Sequence, residues 1–268
     1  MSSGQTYHSP FDSIAADYDR IFTGSCTGKA QRDAVWQETD KVFQAGLTIF
    51  EMNCGTGVDA VHFASRGLTV FAIDQSAKMI DVARNRLNHA GFGQRVQLKQ
   101  MAIEEMSQYT AHLEFDGAFS NFGGLNCVAG LSRVAENLGR LLRPGSSVLL
   151  CFMSRYCLWE WAYYLGRFQF RKAFRRLREG GTTADLENQE TLQVYYPGIF
   201  ELVRVMQPHF RYVWHKAVGL AVPPSYLESW VMKHPVYLGI ARTIDTRVSR
   251  WPVLRSLGDH CLVHFMRR

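Results

Sequence analysis

The chain has 268 residues, of which 47% are hydrophobic and 20% charged, so it is long enough for a full-size folded domain and too apolar to be disordered. Its net charge of +6 is uneven, because residues 1–153 carry 13 basic and 15 acidic side chains whereas residues 154–256 carry 15 and 8. No apolar run is long enough to span a bilayer, and the first residues lack the apolar core of a secretory signal. The six cysteines form no CxxC pair, which argues against a disulfide framework or a structural zinc site. We therefore predict a cytoplasmic protein that binds no metal.

Short apolar runs alternate with helical patterns through the first half of the chain. Helices are predicted to begin at Val58, to be capped by Ser76 and to cover Leu131–Leu142. This alternation predicts an α/β fold with a Rossmann-like, doubly wound and mostly parallel sheet. The five strands predicted here are Thr48–Met52, Thr69–Ile73, Val96–Gln100, Phe115–Ser120 and Ser147–Met153.

Beyond residue 153 the pattern changes to aromatic and basic stretches between fewer elements. The predicted elements are an extended segment Thr191–Tyr196, a helix Ile199–Met206, and strands Phe210–Val218 and His260–Met266. We therefore predict about seven sheet strands, the last antiparallel, with an inserted and mainly helical cap over the carboxyl edge of the sheet. The predicted organisation is a lid and cofactor-binding core in 1–153, cap insertions in 154–197 and 223–256, and further core in 198–222 and 257–268.

A glycine-rich turn, Glu51–Gly57, follows the first predicted strand. Gly55 and Gly57 let the backbone turn tightly and approach a ligand, and the helix that follows points its N–H groups toward that ligand. Asp74 lies 17 residues after Gly57, where its carboxylate can accept hydrogen bonds from both hydroxyls of a ribose. The two features predict a nucleoside-binding site at the switch point of the sheet.

The residues of the turn leave more than one class of protein open. The letters GTGVDA fit the GxGxxA pattern of dinucleotide sites, so a nicotinamide-dependent oxidoreductase is one alternative. Glu51 argues against it, because a negative charge there disfavours a pyrophosphate. A non-catalytic module that binds a cofactor or a membrane surface is a further alternative.

Taken together, the motifs resemble the class I S-adenosylmethionine-dependent methyltransferases of the small-molecule type. The resemblance covers residues 11–153 and includes Ala16–Asp19, the Glu51–Gly57 turn, Asp74–Ser76 and Leu142–Gly145. It implies that S-adenosylmethionine is the cofactor, S-adenosylhomocysteine the product, and a small or lipid-like, partly apolar molecule the acceptor. The cofactor-binding residues that it implies are Tyr18, Glu51, Asn53, Gly55, Gly57, Asp74, Gln75, Met79, Met101, Ala102, Ile103 and Ser120.

Two departures from the family pattern concern the cofactor site. Asn53 stands where the family usually has glycine, and asparagine also tolerates unusual backbone angles. After the third strand the family often has an acid near the adenine, whereas this chain has Met101, Ala102 and Ile103. We therefore expect backbone groups around Ala102 and Ile103 to bind the adenine edge and Met101 to pack on the ring.

Four arginines between Leu165 and Gly180 recur at helical spacing opposite a phenylalanine face. They predict a basic amphipathic helix that meets either an anionic membrane, an anionic substrate or only solvent. The chain lacks an Asn-Pro-Pro-Tyr sequence after the fourth strand, so a nucleic-acid acceptor is disfavoured. No histidine is spaced as a general base, and the catalytic residues and oligomeric state stay open. The predicted acceptor-binding residues are Asn121, Trp159, Arg171, Tyr195 and Tyr196.

Overall fold

A computed structural model describes residues 9–106, 114–185 and 191–268. Its strands are β1 (Thr48–Met52), β2 (Thr69–Asp74), β3 (Val96–Gln100), β4 (Phe115–Ser120), β5 (Leu142–Met153), β6 (Thr182–Asp185), β7 (Thr191–Val194), β8 (Phe210–Val218) and β9 (His260–Arg267). Its α-helices are α1 (Cys26–Val42), α2 (Val58–Ser65), α3 (Ala77–Ala90), α4 (Leu131–Leu141), α5 (Leu158–Leu165), α6 (Phe170–Ala173), α7 (Ile199–Met206), α8 (Glu228–Lys233) and α9 (Pro235–Val248).

Seven of the described strands form one mixed sheet in the order β3-β2-β1-β4-β5-β9-β8. Strands β1 to β5 pair in parallel, and β9 runs antiparallel to both β5 and β8. The predicted Rossmann-like sheet, with its antiparallel last strand, is therefore confirmed. Strands β6 and β7 form a separate antiparallel ribbon, of which the sequence indicated only the second strand.

Alternate residues of the central strands face two apolar layers. On one face Phe50 packs against Phe71 and Phe115, and on the other Phe63 meets Phe119 edge-on at a ring distance of 5.0 Å. Both faces are covered by helices, so these strands read as unbroken apolar runs in the sequence. In the described part of the chain, no helix is both long and apolar enough to cross a membrane.

Residues 223–256 pack against α1, a helix that the sequence did not indicate. The Glu228 carboxylate accepts hydrogen bonds from the backbone N–H groups of Cys26 (2.6 Å) and Thr27 (3.0 Å). Arg242 pairs with Asp33 of α1 at 2.6 Å. Residues 223–256 therefore brace α1.

The prediction of one continuous amphipathic helix over Leu165–Gly180 is wrong. Helix α5 ends at Leu165, Phe168 adopts φ +57°, and α6 is only four residues long. The chain folds back because Arg175 and Arg176 both bind the buried Glu160 carboxylate, with Nε–O distances of 2.5 and 2.7 Å. In one straight helix Glu160 and Arg175 would lie about 22 Å apart, so the ion pairs require the break.

Acid is expected to destabilise the fold through two buried histidines on neighbouring strands. Burial, followed by the charge of nearby arginines, lowers the pKa of His215 and of His264 from 6.5 to about 4. The unfolded chain therefore binds protons more readily, so the stabilisation is complete above pH about 6.5 and is lost as the pH falls toward 4. Urea unfolding at several pH values measures this slope. A double His215→Gln, His264→Gln variant should show a flatter slope, and an unchanged slope would contradict the assignment.

Candidate functional site

A cavity of about 350 Å³ opens where β1, β2 and β4 end, at the carboxyl edge of the sheet. It extends from the turn after β1 to the β6–β7 ribbon, so one space joins the two regions for which ligand contacts were predicted. The described residues leave no group of three His, Cys, Asp or Glu side chains placed to hold a metal ion. The predicted site residues that line this cavity are Tyr18, Asn53, Gly55, Asp74, Gln75, Met79, Asn121 and Tyr196.

Asn53 keeps the turn after β1 in the shape that a glycine usually gives. Its φ is +55°, in the left-handed region that asparagine tolerates better than most residues. The Asn53 side chain also needs room, and a Cβ built on Gly124 would lie 2.4 Å from the Asn53 Cβ. Gly124 therefore makes space for the asparagine, a compensation that lies 71 positions away in the sequence.

Gly55 and Gly57 both have positive φ values, +53° and +74°, but they meet different surroundings. A Cβ on Gly55 would find no atom within 4 Å, whereas a Cβ on Gly57 would lie 2.8 Å from the Ala83 Cβ. Gly55 therefore faces open space, and it lines the cavity. Gly57 instead allows α2 to pack closely on α3, which differs from the ligand-facing role suggested by the sequence.

Alanine substitutions should separate these two roles. Gly55→Ala is expected to cost about 1–2 kcal/mol of stability for the left-handed backbone and to block ligand binding by placing a methyl group in the cavity. Gly57→Ala adds the contact with Ala83 and should cost about 2–4 kcal/mol. Urea unfolding gives the stabilities, and calorimetry with S-adenosylhomocysteine gives the affinities. Equal destabilisation by the two substitutions would contradict this division.

Asp74 is the last residue of β2, and its carboxylate holds the glycine turn in place. Its two oxygens accept the backbone N–H groups of Gly55 and Ser76, each at 2.9 Å. Burial raises the pKa of Asp74, and the hydrogen bonds from Ser76 and Gly55 oppose that rise. Each carboxylate oxygen keeps a free lone pair, so Asp74 can accept hydrogen bonds from a ribose diol in the cavity beside it.

A buried cluster that was not predicted from the sequence lies behind the turn. Arg32 of α1 bonds Asp59 of α2 at 2.5 Å, and Trp36 donates to the same carboxylate at 2.7 Å. Asn121 also donates to Asp59, at 3.1 Å, so its amide has a structural partner as well as facing the cavity. Arg32 and Asn121 border a small recess beside Gly55, and this places a fixed guanidinium close to the turn.

Several buried polar atoms around this recess have no partner among the described residues. They are the Arg32 Nε, the Glu51 Oε2, the Asn53 Oδ1 and the Ser120 Oγ. Burial and the neighbouring Asp59 charge raise the pKa of Glu51 well above its ordinary value, against the effect of Arg32. Buried polar groups are normally paired, so these atoms indicate a zwitterionic ligand group with both donors and acceptors. The amino-acid end of S-adenosylmethionine fits that description.

Residues 9–19 lie over the cavity, and two of their aspartates bind residues of the sheet edge and its helices. Asp12 accepts a hydrogen bond from the Ser76 hydroxyl at 2.5 Å. Asp19 accepts one from the Thr56 hydroxyl at 2.7 Å and pairs with Arg86. Tyr18 lies between these two aspartates in the sequence and lines the cavity.

The residues predicted to bind adenine lie beside the cavity rather than in its described wall. Met101, Ala102 and Ile103 are buried, and the Met101 N–H already donates to the Asp74 carbonyl at 2.9 Å. The Ala102 N–H donates to Glu105 at 3.3 Å. Glu104, which was not singled out from the sequence, does line the cavity.

The far wall of the cavity comes from residues within 154–197. It includes Tyr196 and Arg175, whose guanidinium is held by Glu160. Three predicted acceptor contacts lie elsewhere. Trp159 packs edge-on against Tyr237 at 6.4 Å, Arg171 is exposed to solvent, and Tyr195 faces a neighbouring cleft. Tyr195 lines that cleft alone, whereas Tyr196 borders both the cleft and the main cavity.

Known proteins match this chain in sequence and in fold. A family model described as a methyltransferase domain matches residues 49–145, from β1 into β5. The chain is 28% identical over 190 residues to the tRNA 5-carboxymethoxyuridine methyltransferase of Escherichia coli K12, covering 69% of this chain and 72% of that protein. It is 31% identical over 150 residues to the demethylmenaquinone methyltransferase of Clavibacter sepedonicus, covering 54% and 56%. An S-adenosylmethionine-dependent methyltransferase from Clostridium acetobutylicum has a similar fold, with a TM-score of 0.59, 10% identity and coverage of 96% and 99%.

The matched domain, the order of the sheet and the glycine turn with its acidic partner define an enzyme that transfers methyl groups from S-adenosylmethionine. The chain belongs to the class I S-adenosylmethionine-dependent methyltransferases. This assignment decides against the nicotinamide-dependent oxidoreductase and against the non-catalytic module.

Proposed function

We propose that the enzyme methylates a small or lipid-like, partly apolar acceptor that carries a negative group. The observation that carries this proposal is the single cavity that joins Asp74 and Gly55 to Arg175 and the β6–β7 ribbon. An acceptor in the far part of that cavity would lie next to the cofactor. Residues 154–197 would then form the cap of the acceptor site.

The far part of the cavity suits an acceptor with both apolar and charged groups. Its wall includes the apolar side chains of Met153, Leu192 and Val194 and the ring of Tyr196. Among the described lining residues Arg175 is the cation. Glu160 binds its Nε and one terminal nitrogen, which fixes the plane of the guanidinium. A guanidinium held in this way can bind a carboxylate or another anionic oxygen with defined geometry.

The residues at the near end fit the cofactor. We assign the ribose to Asp74, the approach of the backbone to Gly55, and the amino-acid end to Glu51, Asn53 and Arg32. We assign the adenine to Gln75 and Met79, which line the cavity, and to Met101, Ala102 and Ile103, which lie beside it. When bound, S-adenosylmethionine supplies an activated methyl group, and the acceptor forms its new bond to the methyl carbon as the methyl–sulfur bond breaks and its electron pair stays on sulfur.

The protein has little acid–base chemistry to supply. The described lining residues include no histidine, and burial raises the pKa of the lining Cys127 to about 11. An acceptor atom that is already anionic needs no general base. The contribution of the chain would then be alignment of the two reactants and exclusion of water by the N-terminal lid and the first insertion.

A nucleoside in tRNA is a second candidate acceptor. The relative from Escherichia coli is named for a tRNA uridine with a carboxymethoxy substituent, and this group also carries a negative charge. The positive excess of residues 154–256 would suit an RNA backbone.

The acceptor class can be tested with methyl-labelled S-adenosylmethionine and three separate pools: a solvent extract of lipids, a filtrate of polar small molecules, and bulk tRNA. Label in a product from either of the first two pools supports the proposal. Label confined to tRNA would replace it with the second candidate, and the absence of a labelled product in all pools would contradict both.

Variants of two arginines test whether Arg175 binds the acceptor. Arg175→Gln should raise the KM for the labelled acceptor by about 10- to 100-fold, because a charge-assisted hydrogen bond is lost, and should leave the KM for S-adenosylmethionine unchanged. Arg178→Gln is the matched control, since Arg178 is exposed and does not line this cavity. Equal KM values in the Arg175 variant and the wild type would remove Arg175 from the acceptor site.

A further inference from the structure

The two insertions expose an unusual number of large apolar side chains. Phe168 is 82% exposed at the turn between α5 and α6, and Val236 is 76% exposed at the start of α9. Most exposed apolar residues on a protein surface are isolated, whereas these occur in groups on consecutive elements. The exposed apolar residues of these elements are Leu165, Phe168, Phe170, Phe174, Tyr226, Trp230, Met232, Val236, Ile240 and Ile244.

Aromatic contacts hold the two groups next to each other. The rings of Tyr163 and Tyr226 lie 5.2 Å apart, and those of Trp159 and Tyr237 lie 6.4 Å apart. On α9 the exposed residues Val236, Ile240 and Ile244 are spaced by four, so they share one face of that helix. We call the exposed apolar residues of 165–174 and 226–244, with the cations among them, the amphipathic surface.

Four cations of this surface and of the next turn of α9 form no ion pair among the described residues, whereas Arg242 on the same helix pairs with Asp33. Arg171, Lys172, Lys233 and Arg247 are all exposed, and in the described ranges none has a carboxylate within 4 Å. The acids of the same elements are already occupied. Glu160 binds Arg175 and Arg176, Glu228 accepts from the start of α1, and Asp245 accepts three backbone N–H groups from residues 220–222.

The turn that presents Phe168 is conformationally costly. Phe168 has φ +57°, a region that a bulky residue without stabilising contacts rarely adopts. Arg167 stacks on the Tyr163 ring at 3.7 Å and so packs back against α5, while Phe168 points away from the protein. The left-handed residue closes the end of α5, where the Gln169 N–H donates to the Tyr164 carbonyl at 2.9 Å, and this closure leaves the Phe168 ring exposed.

We propose that the amphipathic surface docks on an anionic phospholipid bilayer, with Phe168 and the α9 face inserted at the interface. Exposed apolar groups between unpaired cations are complementary to acyl chains below a layer of negative headgroups. A second copy of the chain fits less well, because a two-fold contact would bring the same cations together. RNA fits less well because a base could stack on the exposed rings of this surface but not on the aliphatic side chains of the α9 face, which would stay uncovered. The proposal goes beyond methyl transfer and does not depend on the identity of the acceptor.

Vesicle flotation without cofactor or acceptor tests the surface directly. The wild-type protein should float with vesicles of phosphatidylcholine and phosphatidylglycerol at low salt, and much less with pure phosphatidylcholine. A double Phe168→Ser, Phe170→Ser variant should bind at least about tenfold more weakly, because two aromatic rings no longer enter the interface. A double Arg171→Gln, Lys172→Gln variant should lose about fivefold per charge removed.

The matched control is Phe200→Ser, which removes a phenylalanine that is 90% exposed on α7, outside the surface. It should bind vesicles like the wild type. Circular dichroism confirms that each variant is folded. The proposal fails if the wild type does not float with anionic vesicles, if the Phe168 and Phe170 variant binds like the control, or if the surface instead binds tRNA or a second copy. A failed acceptor assay would leave this result unaffected, since no methyl transfer is measured.

Discussion

Asp74→Ala is expected to weaken S-adenosylhomocysteine binding by about 5- to 150-fold, which corresponds to roughly 1–3 kcal/mol. The substitution removes the acceptor assigned to the ribose hydroxyls. It also leaves the N–H groups of Gly55 and Ser76 without the carboxylate that now binds each at 2.9 Å. The turn would then lose both a ligand contact and its own support. Isothermal titration calorimetry measures the change.

Asp81→Ala is the control for this experiment. Asp81 also lies on the chain shortly after β2, but its side chain is exposed, and among the described residues its ion pair is with Arg84 on the surface of α3. The Asp81→Ala variant should bind S-adenosylhomocysteine like the wild type. Neither this variant nor the wild type should bind NAD. An Asp74 variant with unchanged affinity would overturn the assignment of the ribose.

Arg176→Met is expected to lower the stability of the protein by about 3–5 kcal/mol. Arg176 is buried and binds Glu160 and Asp259 at 2.7 and 2.8 Å, so its loss leaves two buried carboxylates without this cation. For a chain of this size the corresponding fall in Tm is roughly 6–20 °C. Differential scanning calorimetry measures it, and Arg171→Met, which replaces an exposed arginine, provides the control.

The electrostatic origin of this effect has its own test. Burial alone would raise the pKa of Asp259, but His260 and Arg176 outweigh burial and hold that pKa well below its usual range. Since the folded pKa is depressed, the stabilisation is present above the unfolded value of about 4 and is lost as the pH falls below it. Adding Asp259→Asn to Arg176→Met should restore part of the stability at neutral pH. No recovery would show that packing, and not charge, accounts for the loss.

The strands could be predicted because a strand that is buried on both faces has a continuous run of apolar residues in the sequence. Strands β1, β3, β4 and β8 lie where the sequence placed them, and Ser76 caps α3 as expected, accepting the Met79 N–H at 3.1 Å. The sequence of helix α1 has no such apolar pattern. Its buried side carries polar residues that bind distant partners, so it has no apolar stripe. These residues are Gln31, Arg32 and Glu38.

The same contrast applies to the candidate site. The turn and Asp74 are close in sequence to the strands that position them, so their place at one edge of the sheet could be predicted. The pairing of Arg32 with Asp59 joins two helices, and the wall formed by Arg175 depends on a chain reversal. Spacing alone placed Arg171 and Arg175 on one helical face, whereas in the structure Arg175 lines the cavity and Arg171 does not. Only the tertiary partner, Glu160, distinguishes them.

The position of β9 has a consequence for how the protein is made. In the described sheet β8 bonds to β9 alone, and β9 also covers the outer edge of β5. About 40 residues separate β8 from β9 in the sequence, so a ribosome needs roughly 2–8 s to synthesise β9 after β8 has been completed. During that interval two strand edges are open at once on the nascent chain. Translational pausing between residues 219 and 259 would prolong the exposure, so aggregation of newly made protein should be sensitive to codon choice in this segment.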